Sequence, residues 1–218
     1  MSSGREPRPP EDIMSYYMYR IPTPARTLSE AEQARLLQVT GEHRGGFRDH
    51  VIFSLALGTG LREHEIAGLN VGDIADEQGR VRHRMSLRVF KRSNYDPEVQ
   101  QAVLSETLRT KLRHYLGWME RHGQATGPDE PLFVSRRGGR ISTRQMRTLF
   151  ARWQERAGFE RRYGFHALRH TACTNHYRLT KDLRLTQRFA RHKSAATTER
   201  YTHPSIEDLL ASVQGLPC

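Results

Sequence analysis

Phe165-His166-Ala167-Leu168-Arg169-His170-Thr171-Ala172-Cys173 is the stretch on which the reading of this chain turns. It holds no glycine or proline and reads as the opening of a helix from Phe165 to Arg178. His166, Arg169 and His170, three and four residues apart, then fall on one side of that helix. An arginine between two imidazoles suits a phosphate. The guanidinium is a planar fork of donors for two non-bridging oxygens, and histidine donates or shuttles a proton near neutral pH. A zinc site on His166 and His170 is disfavoured, because neither a third ligand nor an intervening glutamate accompanies the pair. Alone the motif is weak, since histidine and arginine on a helix face are usually just solvated.

Two further segments change its weight. Gly58-Thr59-Gly60 breaks a helical pattern, and Leu61-Arg62-Glu63-His64-Glu65 follows. Arg62 thus stands just past glycines, where backbone approaches a ligand closely. Glu65, three residues on, is spaced to hold the Arg62 side chain. The plain alternative is a surface i, i+3 pair worth under about 1 kcal/mol. Downstream runs Ala190-Arg191-His192-Lys193-Ser194-Ala195-Ala196-Thr197-Thr198-Glu199-Arg200-Tyr201-Thr202-His203. A phenol of pKa about 10 is a poor nucleophile unless nearby cations stabilise its anion. By itself Tyr201 would be a half-buried tyrosine with a satisfied hydroxyl.

In order, Gly-Leu-Arg62-x-x-Glu65, His166-x-Leu-Arg169-His170, His192 and Thr-Thr-x-x-Tyr201-x-His resemble the tyrosine recombinases, the phage-integrase-like site-specific recombinases. The spacing, 26 residues from His166 to His192 and nine more to Tyr201, is similar to that of bacterial chromosome-dimer-resolving members. The resemblance spans Thr27 to about Val213. It implies that Arg62 and Arg169 clamp a scissile phosphate, that His166 and His192 hydrogen-bond it and assist proton transfer, and that Tyr201 attacks to give a 3′-phosphotyrosyl bond and a free 5′-hydroxyl. The family's hairpin lysine, general acid for the leaving oxygen, matches Lys91, although Arg92 is adjacent and the following turn lacks the usual glycines. Glu65 and His170 stand as supporting residues. One departure is plain. Ala190-Arg191-His192-Lys193 occupies the place of Leu-Gly-His-Ser, so the turn at Arg191 is altered unless that residue is helical.

Composition agrees. The net charge of +11 is concentrated: Ser135 to Arg200 holds 17 Lys and Arg against four Asp and Glu, and the rest of the chain sums to about −2. Such a block can form one electropositive face, whose natural partner is a polyanion. In 218 residues no apolar run approaches the roughly 20 needed to span a bilayer. Cys173 and Cys218 supply neither a disulfide framework nor metal-ligand spacing. A cytoplasmic, nucleoid-associated protein without membrane attachment is expected.

Five of the ten prolines lie in residues 1–26, which read as a flexible Pro-rich arm; a catalytic domain occupies 27–218. Within it, the capping box Ser29-Glu30-Ala31-Glu32 opens a helix through Val39, and others run from about Arg48 to Leu57 and on to Leu69. Val81–Phe90 and Val99–Leu104 suggest a hairpin. Ser105 caps a helix to Arg121, Leu132-Phe133-Val134 reads as a strand, and Ser142-Thr143-Arg144-Gln145 opens a helix to about Arg156. A helix from Lys181 to Arg191 follows. A last one carries Ile206, Leu209, Leu210 and Val213 at i, i+3, i+4, i+7, for docking on its own body or a neighbour. The fold class is mostly α with a small antiparallel sheet. The core-binding domain that usually precedes this catalytic domain is not expected within these residues, leaving its half of the clamp to come from elsewhere or to be dispensed with.

The resemblance implies double-stranded DNA as partner, a homo-oligomer that is a tetramer on paired sites, and room for an accessory protein. No cofactor or metal is expected: two arginines can neutralise the phosphate, no acidic cluster suits a pair of magnesium ions, and no Gly-x-x-x-x-Gly-Lys loop binds ATP. Two other readings stay open, a topoisomerase-like relaxing enzyme and a non-catalytic DNA-binding relative.

Overall fold

Ser29 starts the ordered body as its sequence anticipates: its hydroxyl accepts from Glu32 N at 3.2 Å, and the Glu32 carboxylate accepts from Ser29 N at 2.8 Å. The computed structural model describes residues 26–87, 101–199, 201 and 213–214. Helix α1 (Glu30–Glu42) outruns its expected end at Val39, running through Gly41 to stop just before Gly45 and Gly46. Gly46 is obligatory at the corner, since a Cβ there would lie 2.3 Å from the Thr40 carbonyl.

Helix α2 (Phe47–Thr59) buries Val51, Ile52, Phe53, Leu55 and Ala56, so it is apolar on nearly all sides and runs through the core. It packs on α1, on α5 (Glu106–Arg121) and most extensively on α7 (His166–Thr180). Short helices α3 (Glu63–Gly68) and α4 (Val71–Ile74) follow. Strands β1 (Arg84–Ser86) and β2 (Gln101–Val103) pair antiparallel, with Met85 opposite Ala102 and both buried. The expected turn between them, with Lys91, lies outside the described residues.

Ser105 caps α5 by accepting from Leu108 N, and Leu108, Leu112, Tyr115, Leu116 and Met119 form its buried stripe. Ser142 and Gln145 form the capping box of α6 (Thr143–Arg156), which inserts Met146, Phe150 and Trp153. Phe53, Phe150 and Phe165 meet with ring centroids 5.5 to 6.2 Å apart, joining α2, α6 and the start of α7. Asp49, 3% exposed, accepts from Trp153 Nε1 at 2.9 Å and from Arg48 Nη2 at 2.8 Å.

Leu132-Phe133-Val134 is not a strand. Leu132 and Phe133 are buried, but their backbone makes single bonds in two directions, Leu132 N to Leu69 O and Ile141 N to the Phe133 carbonyl. The bridges there, Asn70 with Pro131 and Val134 with Arg140, remain isolated. Burial came from the tertiary setting, not from a ladder. The helix expected from Lys181 begins later. Lys181, at φ 52°, ends α7, and Asp182 caps α8 (Leu183–Ala190) by accepting from Leu185 N. Helix α9 (Ala195–Glu199) was not anticipated from sequence. Of the expected C-terminal stripe only Val213 is described, in a helical turn and exposed. Among the described residues no helix is long and apolar enough to cross a membrane.

Candidate active site

Two turns and one helix assemble the site. Gly60 ends α2 at φ 60°, and a Cβ there would lie 3.1 Å from the Phe189 ring, so glycine suits the place on both counts. Its outward carbonyl accepts from Arg169 Nη1, while Arg169 Nη2 donates to the Ala190 carbonyl at 2.5 Å. Arg169, on α7 and 2% exposed, therefore ties the α2–α3 turn to the end of α8. Burial, reinforced by the positive charge of Arg62, pulls its pKa down to about 10, so it stays charged at neutral pH.

Glu65 is the shared anion. Its Oε1 accepts from Arg62 Nη1 at 2.9 Å, and its Oε2 accepts from Arg62 N at 2.7 Å and from Arg191 Nη2 at 3.1 Å. Burial pushes the carboxyl pKa up, but Arg191, the Arg62 amide and the charges of Arg62 and Arg169 more than offset this and hold it below 4.5. Arg62 keeps 31% of its side chain exposed beside this buried carboxylate. It is fixed at one end and open at the other.

The second half is a run of rings. Tyr201 Oη lies 2.8 Å from His170 Nδ1, and only 5% of the residue is exposed. His166, exposed at the first turn of α7, meets His170 edge to face at 4.5 Å. His192 lies nearly parallel to the Tyr201 ring at 6.0 Å, its Nδ1 2.9 Å from Thr198 Oγ1. Cys173, fully buried in the same small cluster as Tyr201 and Ala190, has its thiol pKa raised by burial.

The structure thus gathers Arg62, Glu65 and Arg169 around Gly60, and His166, His170 and His192 along a line with Tyr201. Because Arg169 and His170 are neighbours on α7, and Ala190 and His192 flank one turn, the two halves share a wall. Such an arrangement offers cationic donors to an anion, a phenol nucleophile and imidazoles for its proton. Lys91 lies outside the described residues. Among the described residues no group of three or more His, Cys, Asp or Glu side chains could hold a metal ion.

Arg191 was singled out in the sequence only as a departure at a turn, not as a site residue. It is neither helical nor solvent-facing. At φ 55° and ψ 45° it takes the left-handed conformation a glycine would supply, and its side chain is 5% exposed against Glu65. The sequence signal was that Arg191 stands where the resembling pattern has glycine, the residue type that most readily takes this left-handed turn.

The chain matches the phage integrase family over residues 26–207. It is 31% identical over 181 residues to the tyrosine recombinase XerC of Actinobacillus pleuropneumoniae, covering 83% of this chain and 55% of that protein. To XerC of Syntrophus aciditrophicus it is 32% identical over 167 residues, covering 76% and 52%. The crystal structure of XerA recombinase superposes with a TM-score of 0.71 at 29% identity, covering 90% of this chain and 67% of that one. The XerH site-specific recombinase bound to its difH substrate shares the fold, with a TM-score of 0.68 at 22% identity. The chain spans about half the length of the XerC relatives it matches. By its match over residues 26–207, most of its length, this chain belongs to the phage integrase family.

Proposed function

We propose that this chain is the catalytic domain, over 27–218, of a site-specific DNA recombinase that cleaves and rejoins strands through Tyr201. The observation that carries the reading is the Tyr201 hydroxyl at 2.8 Å from His170 Nδ1, on the same α7 wall as the arginines around Gly60. In the reaction Tyr201 Oη attacks the scissile phosphorus and the bond from phosphorus to the 5′-oxygen breaks. The phenol proton passes to His170 Nδ1 in the tautomer that accepts it, and the leaving 5′-oxygen takes a proton from Lys91. Arg62 and Arg169, with His166 and His192, meet the charge that builds on the non-bridging oxygens. The 3′-phosphotyrosyl link keeps the energy of the cleaved bond, so a 5′-hydroxyl rejoins it without ATP.

The partner is double-stranded DNA, held by the basic segment from Ser135 to Arg200, with binding that weakens steeply with salt. XerA and XerH are recombinases, XerH in complex with its difH substrate, and lambda integrase forms a tetramer on a Holliday junction. By analogy this chain works as a tetramer on paired sites at the nucleoid, with an accessory protein as a further partner. Nicked duplexes made from genomic fragments test the reading. A denaturation-resistant protein–DNA adduct absent from Tyr201→Phe is expected. Tight binding without adduct would leave a DNA-binding factor, and relaxation of any supercoiled plasmid would make it a topoisomerase.

A further inference from the structure

Arg191 occupies a backbone conformation that side chains rarely adopt. Among the described residues only it and Lys181 have positive φ without being glycine. Lys181 is exposed, whereas Arg191 turns its side chain inward. There its Nη1 donates to Phe189 O at 3.1 Å and to Thr59 O at 3.4 Å, and its Nη2 to Glu65 Oε2 at 3.1 Å. Its Nε is buried with no hydrogen-bond partner among the described residues.

As a stability device this is a poor choice. The turn would be cheaper with glycine, and one carboxylate, Glu65, faces three guanidinium groups, those of Arg62, Arg169 and Arg191. Two positive charges are left in a largely buried place. A cost in strain and in desolvated charge, concentrated at one spot, is the kind that a site for an anion retains. Arg191 shares Glu65 with Arg62: Oε2 accepts from Arg191 Nη2 and from Arg62 N, while Oε1 accepts from Arg62 Nη1.

We propose that Arg191 is a positioning residue for strand cleavage, anchoring the Glu65 carboxylate so that Arg62 is held for the phosphate, and adding a third positive charge beside it. The proposal rests on the recombinase reading above. Arg191 does this through Glu65 and the Thr59-Gly60 turn, and does not itself touch the phosphate.

Arg191→Gly is the decisive variant, because a structural residue and a positioning residue predict opposite results. Glycine suits φ 55°, and Glu65 keeps both bonds from Arg62, so the variant should stay folded at the assay temperature while melting lower than the parent for the lost ion pair. Single-turnover adduct formation on the nicked genomic-fragment duplexes is then measured against duplex concentration. The maximal rate should fall at least about ten-fold while half-saturation moves less than about three-fold. Arg191→Lys, which keeps a charge near Glu65, should recover part of the rate. A glycine variant that cleaves within about two-fold of the parent overturns the proposal while leaving the parent's Tyr201-dependent adduct intact. So does loss of folded structure in both variants, which would make Arg191 a packing residue. A parent that gives no Tyr201-dependent adduct overturns the recombinase reading itself, and this proposal with it.

Discussion

Replacing Glu65 by glutamine tests the electrostatic frame that holds Arg62 and Arg191 beside Arg169. Glu65 is 6% exposed and accepts from Arg62 N, Arg62 Nη1 and Arg191 Nη2. Glutamine keeps the shape and one acceptor oxygen but removes the charge, leaving Arg191, 5% exposed, facing an amide. Breaking one partner of a buried pair costs about 3–5 kcal/mol, and the retained oxygen places this change near the lower end, about 3 kcal/mol. In a chain of this size each kcal/mol moves the melting temperature by about 2–4 °C, so Glu65→Gln should melt about 6–12 °C lower at pH 7. The deficit has a defined pH dependence. The carboxyl pKa lies below 4.5, so its contribution is present in full above pH 4.5 and is lost as pH falls through the folded value. Calorimetry should find a constant gap between parent and variant from pH 7 to about 5, closing below pH 4.5. A shift under about 2 °C at pH 7, or a gap that persists unchanged into acid, would mean that Glu65 is not the anion holding Arg62 and Arg191.

Three other changes follow from single contacts. Gly60→Ala puts a Cβ at φ 60° and 3.1 Å from Phe189, and urea unfolding should report a loss of about 1–3 kcal/mol, with adduct formation falling further because the Gly60 carbonyl holds Arg169. Asp49→Ala strips the partner of the buried Trp153 Nε1 and of Arg48, and should cost about 3 kcal/mol in the same measurement, far from the site. Cys173, buried and with its thiol pKa raised, should resist iodoacetamide in the native protein and react once the chain is unfolded in urea, as read by peptide mass mapping.

How much of this was legible in the sequence depends on how local each signal was. Ser29, Ser105 and Ser142 announced their helices because a cap is a contact across three residues. The pairing of Arg62 with Glu65 was readable for the same reason, and the family's spacing supplied the order of His166, Arg169, His192 and Tyr201. Leu132-Phe133-Val134 misled, because an apolar run records burial and not whether a neighbouring strand exists to pair with it. Lys181 and Arg191 end their helices in left-handed conformations that neither residue type signals. Arg191 was the largest gap. Its partner Glu65 lies 126 residues away, and nothing local indicates that a charged side chain at a helix end will turn inward. The hydrogen bond between Tyr201 and His170 is of the same kind: both residues were named, but their contact exists only once the chain past α9 brings Tyr201 to α7.

If Tyr201 is the nucleophile, it becomes covalently joined to DNA. The direct measurement is mass mapping of the protein after reaction with nicked duplex and exhaustive nuclease digestion. A nucleotide remnant is expected on the peptide containing Tyr201, linked through a 3′-phosphate, with a free 5′-hydroxyl on the released strand. A remnant on any other residue, or a duplex bound tightly and never joined to protein, would contradict that role.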